Sequence, residues 1–135
     1  MNNSLTEEQV KVLNMSQSVI NEVRKVIIGK DEIIIKVLLS ILAGGHILIE
    51  DIPGVGKTTL AVALSKALSL DYKRLQFTPD VLPTDVTGFT ILNKETHKFE
   101  YKQGAALTNL FLADEINRTS SKTQSALLEV MEEGK

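Results

Sequence analysis

Residues 51–59 read DIPGVGKTT, and this stretch decides the fold class. Gly54 and Gly56 allow backbone conformations that other residues avoid, and they permit a close approach of the main chain. An apolar run precedes the stretch at residues 47–49, and residues 57–69 follow it with leucine and alanine at helical spacing. The pattern predicts a buried strand, a glycine-rich loop and a helix, in that order.

The same loop has the composition of a phosphate-binding loop. Such a loop opens a helix, because the unpaired amides and the dipole at a helix N-terminus attract anions. In the general pattern a lysine reaches the β- and γ-phosphates and the next hydroxyl coordinates Mg²⁺, which assigns these roles to Lys57 and Thr58. The amides that would cradle the phosphates of ATP belong to Gly54, Val55, Gly56, Lys57, Thr58 and Thr59.

One position departs from the general pattern. Asp51 stands where the pattern has its first glycine. The alternative interpretation is a glycine-rich turn that only caps a helix. The run from Gly56 to Thr59, between a predicted strand and a predicted helix, favours the phosphate loop.

A second candidate element, at residues 110–115, reads LFLADE. An apolar run that ends in two acids predicts a buried strand whose carboxyl end meets the ligand. Asp114 is expected to hold Mg²⁺, commonly through water, and Glu115 to orient and deprotonate the attacking water. The same pattern also occurs at ordinary strand ends, so the functional interpretation depends on the phosphate loop upstream.

The rest of the chain alternates helical and strand patterns. Thr6 and Gln9 form a capping-box pattern, and the helical spacing that follows is expected to stop near Gly29. Asp31 is expected to cap a second helix that runs to about Ala43. The later expectations are a strand at 72–77, irregular chain at 78–88, a hairpin of strands 89–92 and 98–101, and a helix at 121–133 with Leu127, Leu128 and Met131 inward. This order predicts an α/β fold with a parallel sheet.

Composition excludes several functional classes. The 135 residues carry a net charge of −2, no cysteine and no tryptophan. A strongly cationic nucleic-acid binder, a disulfide scaffold and a thiol nucleophile are therefore excluded, and no nucleic-acid partner is expected. His46 and His97 are isolated and are interpreted as surface or packing residues. The most apolar stretch, residues 33–42, is too short for a bilayer span, so no membrane insertion is expected. No signal sequence is evident, so a cytoplasmic location is expected.

Other nucleotide chemistries find less support. Residues 93–96 read NKET, which is similar to the guanine-reading motif of GTPases but has Thr96 where that motif has aspartate. The segment is interpreted as a hairpin turn. Two rivals to an ATPase remain open: a module that binds nucleotide or a partner without turnover, and another phosphate-loop enzyme such as a small-molecule kinase. Nothing in the sequence marks the acceptor site that a kinase needs.

Three blocks together resemble the MoxR-type AAA+ ATPases. The blocks are GHILIEDIPGVGKTT at 45–59, RLQFTPD at 74–80 with LPTD at 82–85, and LADEINR at 112–118 followed by similar sequence to residue 134. The resemblance implies a phosphate-loop NTPase of the AAA+ class, with a three-layer α/β core, and it covers the chain from about residue 26 to its last residue. In this family Asp51 is no anomaly.

The resemblance implies a domain plan and partners as well. Residues 1–30 would be an N-terminal helical segment. Residues 31–135 would be part of the nucleotide-binding subdomain, with Walker A at 51–58, a hairpin insertion at about 88–101 and Walker B at 110–115. Ile28 and Gly29 would lie along the adenine. Family members form rings, commonly hexameric, and act as chaperone-like remodelling motors, often with partners that carry a von Willebrand factor A domain.

The resemblance also raises an expectation about length. A working family member continues beyond the equivalent of residue 135 with a sensor-one strand, an arginine finger and a helical lid. The chain is therefore expected to be an N-terminal portion of a longer ATPase, with a core that is incomplete at the C-terminus and without efficient turnover of its own.

Overall fold

A computed structural model describes residues 4–50 and 56–134. The helices and strands lie in two units, one that ends at Leu70 and one that begins at Asp71. Their bounds, in chain order, are α1 Glu7–Arg24, α2 Asp31–Leu42, α3 Lys57–Ala67, β1 Tyr72–Gln76, α4 Pro83–Thr87, β2 Gly88–Asn93, β3 Lys98–Gln103, β4 Leu110–Asp114, a 3-10 turn Ile116–Arg118 and α5 Ser121–Glu133.

The first unit is built from three helices around one apolar core. The start of α1 confirms the predicted capping box: the Gln9 N–H donates to the Thr6 hydroxyl, and the Thr6 N–H donates to the Gln9 side chain. The helices bury one stripe each against the others, as amphipathic helices do. The buried members of this core are Ile20, Val23, Ile34, Val37, Leu38, Leu60 and Leu64.

Two helix boundaries in this unit differ from the predictions. Helix α1 ends at Arg24, five residues before the predicted stop at Gly29, although Gly29 does take a left-handed conformation with φ +76°. Asp31 does not cap α2, because it is the first helical residue and its carboxylate is engaged elsewhere. Arg24 donates to both Asp31 oxygens, at 2.9 and 2.8 Å, so the acid joins two consecutive helices instead.

The strand predicted at residues 47–49 is not formed. Residues 45–50 have no regular secondary structure, and Leu48 is 70% exposed. A strand exists only when a neighbour satisfies its backbone groups, and no strand among the described residues pairs with this segment. The predicted strand–helix–strand unit in the middle of the chain therefore lacks its first strand.

The second unit confirms the α/β class through a parallel pair of strands. Strand β1 pairs with β4 in register from Tyr72 opposite Leu110 to Gln76 opposite Asp114. The pairing continues one step further, because the Phe77 N–H donates to the Asp114 carbonyl at 2.8 Å. One face of the pair packs against α4 and α5. The residues of this core are Phe77, Val86 and Leu127, with Leu75, Phe111, Ala113, Val130 and Met131 packed against them.

Helix α4 and the face of α5 correct two further predictions. Residues 78–88 were expected to be irregular, but Pro83 opens a short helix and the Asp85 carboxylate accepts from the Leu82 N–H at 2.8 Å. Proline suits the first helical position because its missing N–H is not needed there. On α5, Leu127 is buried but Leu128 is 63% exposed, since neighbours on a helix point about 100° apart.

The predicted hairpin is confirmed as the antiparallel pair β2 and β3. Residues 93–96, which were interpreted as a hairpin turn, do connect the two strands in this way. The Asn93 side-chain oxygen accepts from the backbone N–H groups of Glu95 and Thr96, at 2.9 and 3.2 Å, and His97 takes a left-handed conformation. The asparagine thus stabilises a turn, as asparagine commonly does.

Candidate functional site

The described part of the predicted phosphate loop is Gly56 and the start of α3. Gly56 has φ +84°, a left-handed conformation that costs glycine little, and the helix begins at the next residue. The first turn of α3 contains Lys57 and Thr58, which are half-buried, and Thr59, which is exposed. Gly54 and Val55, which were predicted to cradle the phosphates, lie outside the described residues, and so does Asp51.

The first turn of α3 has the electrostatics of an anion site. The first N–H groups of an α-helix lack partners within the helix, and the dipole adds partial positive charge there. The first turn of this described helix holds no acidic side chain, so nothing in it repels an anion. A polyphosphate is a ligand of the required charge.

A cavity of about 290 Å³ lies beside the same helix within the first unit. Val26 lines it, two positions before Ile28, which was predicted to lie along the adenine. Ile28 itself is 84% exposed and does not line the cavity. The lining combines apolar groups with two hydroxyls: Val26, Thr58, Thr59, Val62, Ala63 and Lys66.

The acidic pair of the second unit lies at the carboxyl end of β4. Asp114 is the last strand residue, and its side chain is 24% exposed. Glu115 follows with φ 60° and ψ 39°, a left-handed conformation that is uncommon for a residue with a side chain. Such local strain occurs often at functional sites. It turns the chain sharply from the strand into the 3-10 turn.

Each carboxylate of this pair has a basic neighbour. The Arg74 guanidinium donates to the Asp114 carboxylate at 2.5 Å, and this hydrogen bond raises the pKa of Arg74. Arg118 lies 3.6 Å from the Glu115 carboxylate, so these two side chains form a local ion pair. The contact between Arg74 and Asp114, which joins two strands, was not predicted from the sequence. The sequence did contain a signal for this contact, because a charged residue such as Arg74 inside a predicted buried strand needs a partner.

The carboxylates at the end of β4 fit the coordination of Mg²⁺ better than that of a cation which takes all its ligands from protein side chains. Within residues 4–50 and 56–134, no three metal-binding side chains cluster as a cage would require. Mg²⁺ instead uses one or two carboxylates, with water and substrate phosphates as the other ligands. Asp114 offers such a carboxylate, and its Oδ1 accepts no hydrogen bond from the described residues.

None of the described helices is both long and apolar enough to cross a bilayer.

Comparisons with known proteins agree with this reading of the sequence. The sequence profile of the ATPase family associated with various cellular activities (AAA) matches residues 46–135. The uncharacterized protein YeaC of Bacillus subtilis is 56% identical over 115 residues, which are 85% of this chain and 36% of that protein. Chaperone MoxR1 of Mycobacterium tuberculosis is 42% identical over 112 residues, which are 83% of this chain and 30% of that protein.

A solved structure supports the same relationship. The crystal structure of a candidate ATPase from Cytophaga hutchinsonii matches 95% of this chain and 41% of its own, with 43% identity and a TM-score of 0.75. The chain thus spans about a third of the length of the curated relatives it matches. The family profile covers two thirds of the chain, and MoxR proteins are among its relatives. The chain therefore belongs to the AAA family of ATPases and is of the MoxR type.

Proposed function

We propose that this protein binds ATP with Mg²⁺ and, as part of a longer chain, hydrolyses it. The observation that carries the proposal is the start of α3, where a left-handed Gly56 leads into Lys57 and Thr58 in the first turn. The family membership supports the same assignment.

The residues divide the task by their chemistry. Lys57 neutralises the β- and γ-phosphates, and the amides from Gly54 to Thr59 cradle them. Val26 and the side chains along α3 give the base a partly apolar wall, with Ile28 and Gly29 close in sequence. Thr58 and Asp114 would hold Mg²⁺, which when bound neutralises charge on the phosphates.

Glu115 is the proposed base for hydrolysis. It directly follows the last residue of β4, and its left-handed backbone sets the direction in which the side chain leaves the end of that strand. It orients a water for in-line attack and accepts the proton that the water releases.

Assembly and biological role follow from the family resemblance. We propose a ring, commonly a hexamer in this family, that remodels partner proteins, including proteins with a von Willebrand factor A domain. The name of the relative MoxR1 describes that protein as a chaperone, which supports this direction. Size-exclusion chromatography with light scattering, with and without ATP, tests ring formation. A monomer in both conditions contradicts it.

A titration of fluorescent ATP with Mg²⁺ tests the central proposal. Wild-type protein should bind saturably, and Lys57→Ala should lose binding because the phosphate charge is no longer neutralised. Lys36→Ala is the matched control, since Lys36 forms a solvent-exposed ion pair with Glu32 on α2. Equal binding by wild type and Lys57→Ala contradicts the phosphate-loop assignment.

Turnover separates the remaining candidates. Phosphate release into water supports the ATPase. Saturable binding without turnover in the full-length protein supports the module that only binds, and transfer of the γ-phosphate to a small molecule supports a kinase.

A further inference from the structure

Arg74 and Asp114 connect the two strands of the parallel sheet. In the register Arg74 lies opposite Leu112, and Asp114 lies opposite Gln76. Side chains alternate along a strand, so Arg74 and Asp114 extend from the same face of the pair. The guanidinium therefore reaches diagonally along the sheet to the carboxylate, with 2.5 Å between Nη2 and Oδ2.

The contact uses only one of the two carboxylate oxygens. Arg74 donates to Oδ2, while Oδ1 accepts no hydrogen bond from any residue within 4–50 and 56–134. The Asp114 carbonyl is held as well, because it accepts from the Phe77 N–H at 2.8 Å. The Asp114 carbonyl and Oδ2 are thus held, whereas Oδ1 has no hydrogen-bond partner among the described residues.

Such a tether has a consequence for metal binding. A carboxylate that ligates a cation is commonly oriented by a hydrogen bond to its second oxygen, and loss of that partner typically weakens metal binding about 10- to 100-fold. The Asp114 side chain is only 24% exposed and that of Arg74 is 41% exposed, so the contact is partly shielded from water.

We propose that Arg74 is a positioning residue that orients the Asp114 carboxylate so that Oδ1 faces the cation. The inference rests on the proposed function, in which Asp114 helps to hold Mg²⁺. Arg74 itself touches neither the cation nor the nucleotide in this assignment, and its effect passes through Asp114.

The test measures how much Mg²⁺ tightens nucleotide binding in the full-length protein. The Kd of fluorescent ATP is measured once with EDTA and once with saturating Mg²⁺, and the ratio of the two values is the readout. Arg74→Met should lower this ratio about tenfold, while the Kd with EDTA stays unchanged. Arg74→Lys keeps a charge and a donor, and it should recover most of the ratio.

A double-mutant cycle distinguishes positioning from a general effect on the fold. Asp114→Asn should lower the ratio, and adding Arg74→Met to it should lower the ratio no further. Arg24→Met is the matched control, because Arg24 also pairs with an aspartate and its side chain is likewise 41% exposed. Its ratio should equal that of the wild type. Arg74→Gln is the second neutral variant and decides the question if Arg74→Met does not fold.

The outcomes separate this inference from the proposed function. If Asp114→Asn lowers the ratio and the neutral Arg74 variants leave it unchanged, the positioning role is wrong and the proposed function stands. A higher ratio in those variants also overturns it, because Arg74 would then compete with the cation. If wild type and Lys57→Ala bind ATP equally, the proposed function fails and this inference fails with it.

Discussion

Glu115 and Arg118 face each other across a single 3-10 turn. Arg118 Nη1 lies 3.6 Å from Glu115 Oε2, and the Arg118 N–H donates to the Glu115 carbonyl at 2.9 Å. The turn is held from α5 as well, since the Gln124 side chain donates to the Ile116 carbonyl at 2.9 Å. Hydrogen bonds thus hold the turn that follows the left-handed Glu115, and its carboxylate forms an ion pair with Arg118.

Glu115→Gln should separate hydrolysis from binding. The amide keeps the size of the side chain but cannot accept a proton, so turnover in the full-length protein should fall by at least about 100-fold. The Kd of Mg²⁺–ATP should change little, because the phosphate contacts belong to other residues. Steady-state phosphate release and the fluorescent ATP titration measure the two effects.

Glu22→Gln is the control for this substitution, since Glu22 forms an exposed pair with Lys25. Its turnover should match that of the wild type. Turnover by Glu115→Gln within a fewfold of the wild type contradicts the base assignment.

Leu127 and Leu128 provide a matched test of the core of the second unit. Leu127 is 6% exposed and packs with Phe77 and Val86, whereas Leu128 is 63% exposed. Leu127→Ala should lower the free energy of unfolding by about 2–5 kcal/mol, through lost burial and the cavity that remains. Leu128→Ala should change it by no more than about 0.5 kcal/mol. Urea denaturation followed by circular dichroism measures both, and equal losses contradict the orientation of α5.

Thr123 should contribute to stability through one buried hydrogen bond. Its side chain is 0% exposed, and its hydroxyl donates to the Val81 carbonyl at 2.8 Å. Thr123→Val keeps the shape but leaves that carbonyl without its donor, which should cost about 1–3 kcal/mol. Thr123→Ser retains the hydroxyl and should cost less. Urea denaturation ranks the two variants, and a larger loss for serine than for valine contradicts the hydrogen-bond explanation.

Tyr72 should make stability fall at alkaline pH. Burial raises the pKa of Tyr72 above its ordinary value of 10.0. Above that ordinary value the unfolded chain releases the proton before the folded chain does, so the unfolded state binds fewer protons and stability decreases as pH rises. Below it the contribution of Tyr72 is fully present.

Tyr72→Phe tests this dependence because it removes the titrating group and keeps the ring. The Tyr72 hydroxyl is buried and has no hydrogen-bond partner among the described residues, so its removal should cost little near neutral pH. The free energy of unfolding, measured by urea titration from pH 8 to about pH 11, should decline less steeply in the variant. Equal slopes in both proteins contradict the expected pKa shift.

Local patterns explain most of what the sequence predicted correctly. The capping box at Thr6, the hairpin turn at Asn93 and the helix that begins at Ser121 depend on residues within a few positions of each other. The α/β class also follows from the order of apolar runs. The expected roles of Lys57, Thr58, Asp114 and Glu115 stay predictions, because they depend on a bound nucleotide.

The remaining features depend on partners that the local pattern does not specify. The apolar run at 47–49 has strand composition, yet it forms no strand, because a strand needs a neighbour and composition does not supply one. Asp31 was expected to cap a helix and instead binds Arg24, whose two donors offer a stronger partner.

The sequence by itself determined the family and predicted a phosphate loop and an acidic strand end, because glycine, lysine, threonine and carboxylate chemistry is carried by residue type and spacing. Only the tertiary structure placed Arg74 against Asp114, across 40 positions of sequence. That contact depends on the register of β1 with β4, and register is set by the packing of one sheet face on a shared core. The loop chemistry is therefore local, whereas the orientation of the Asp114 carboxylate is a property of the folded sheet.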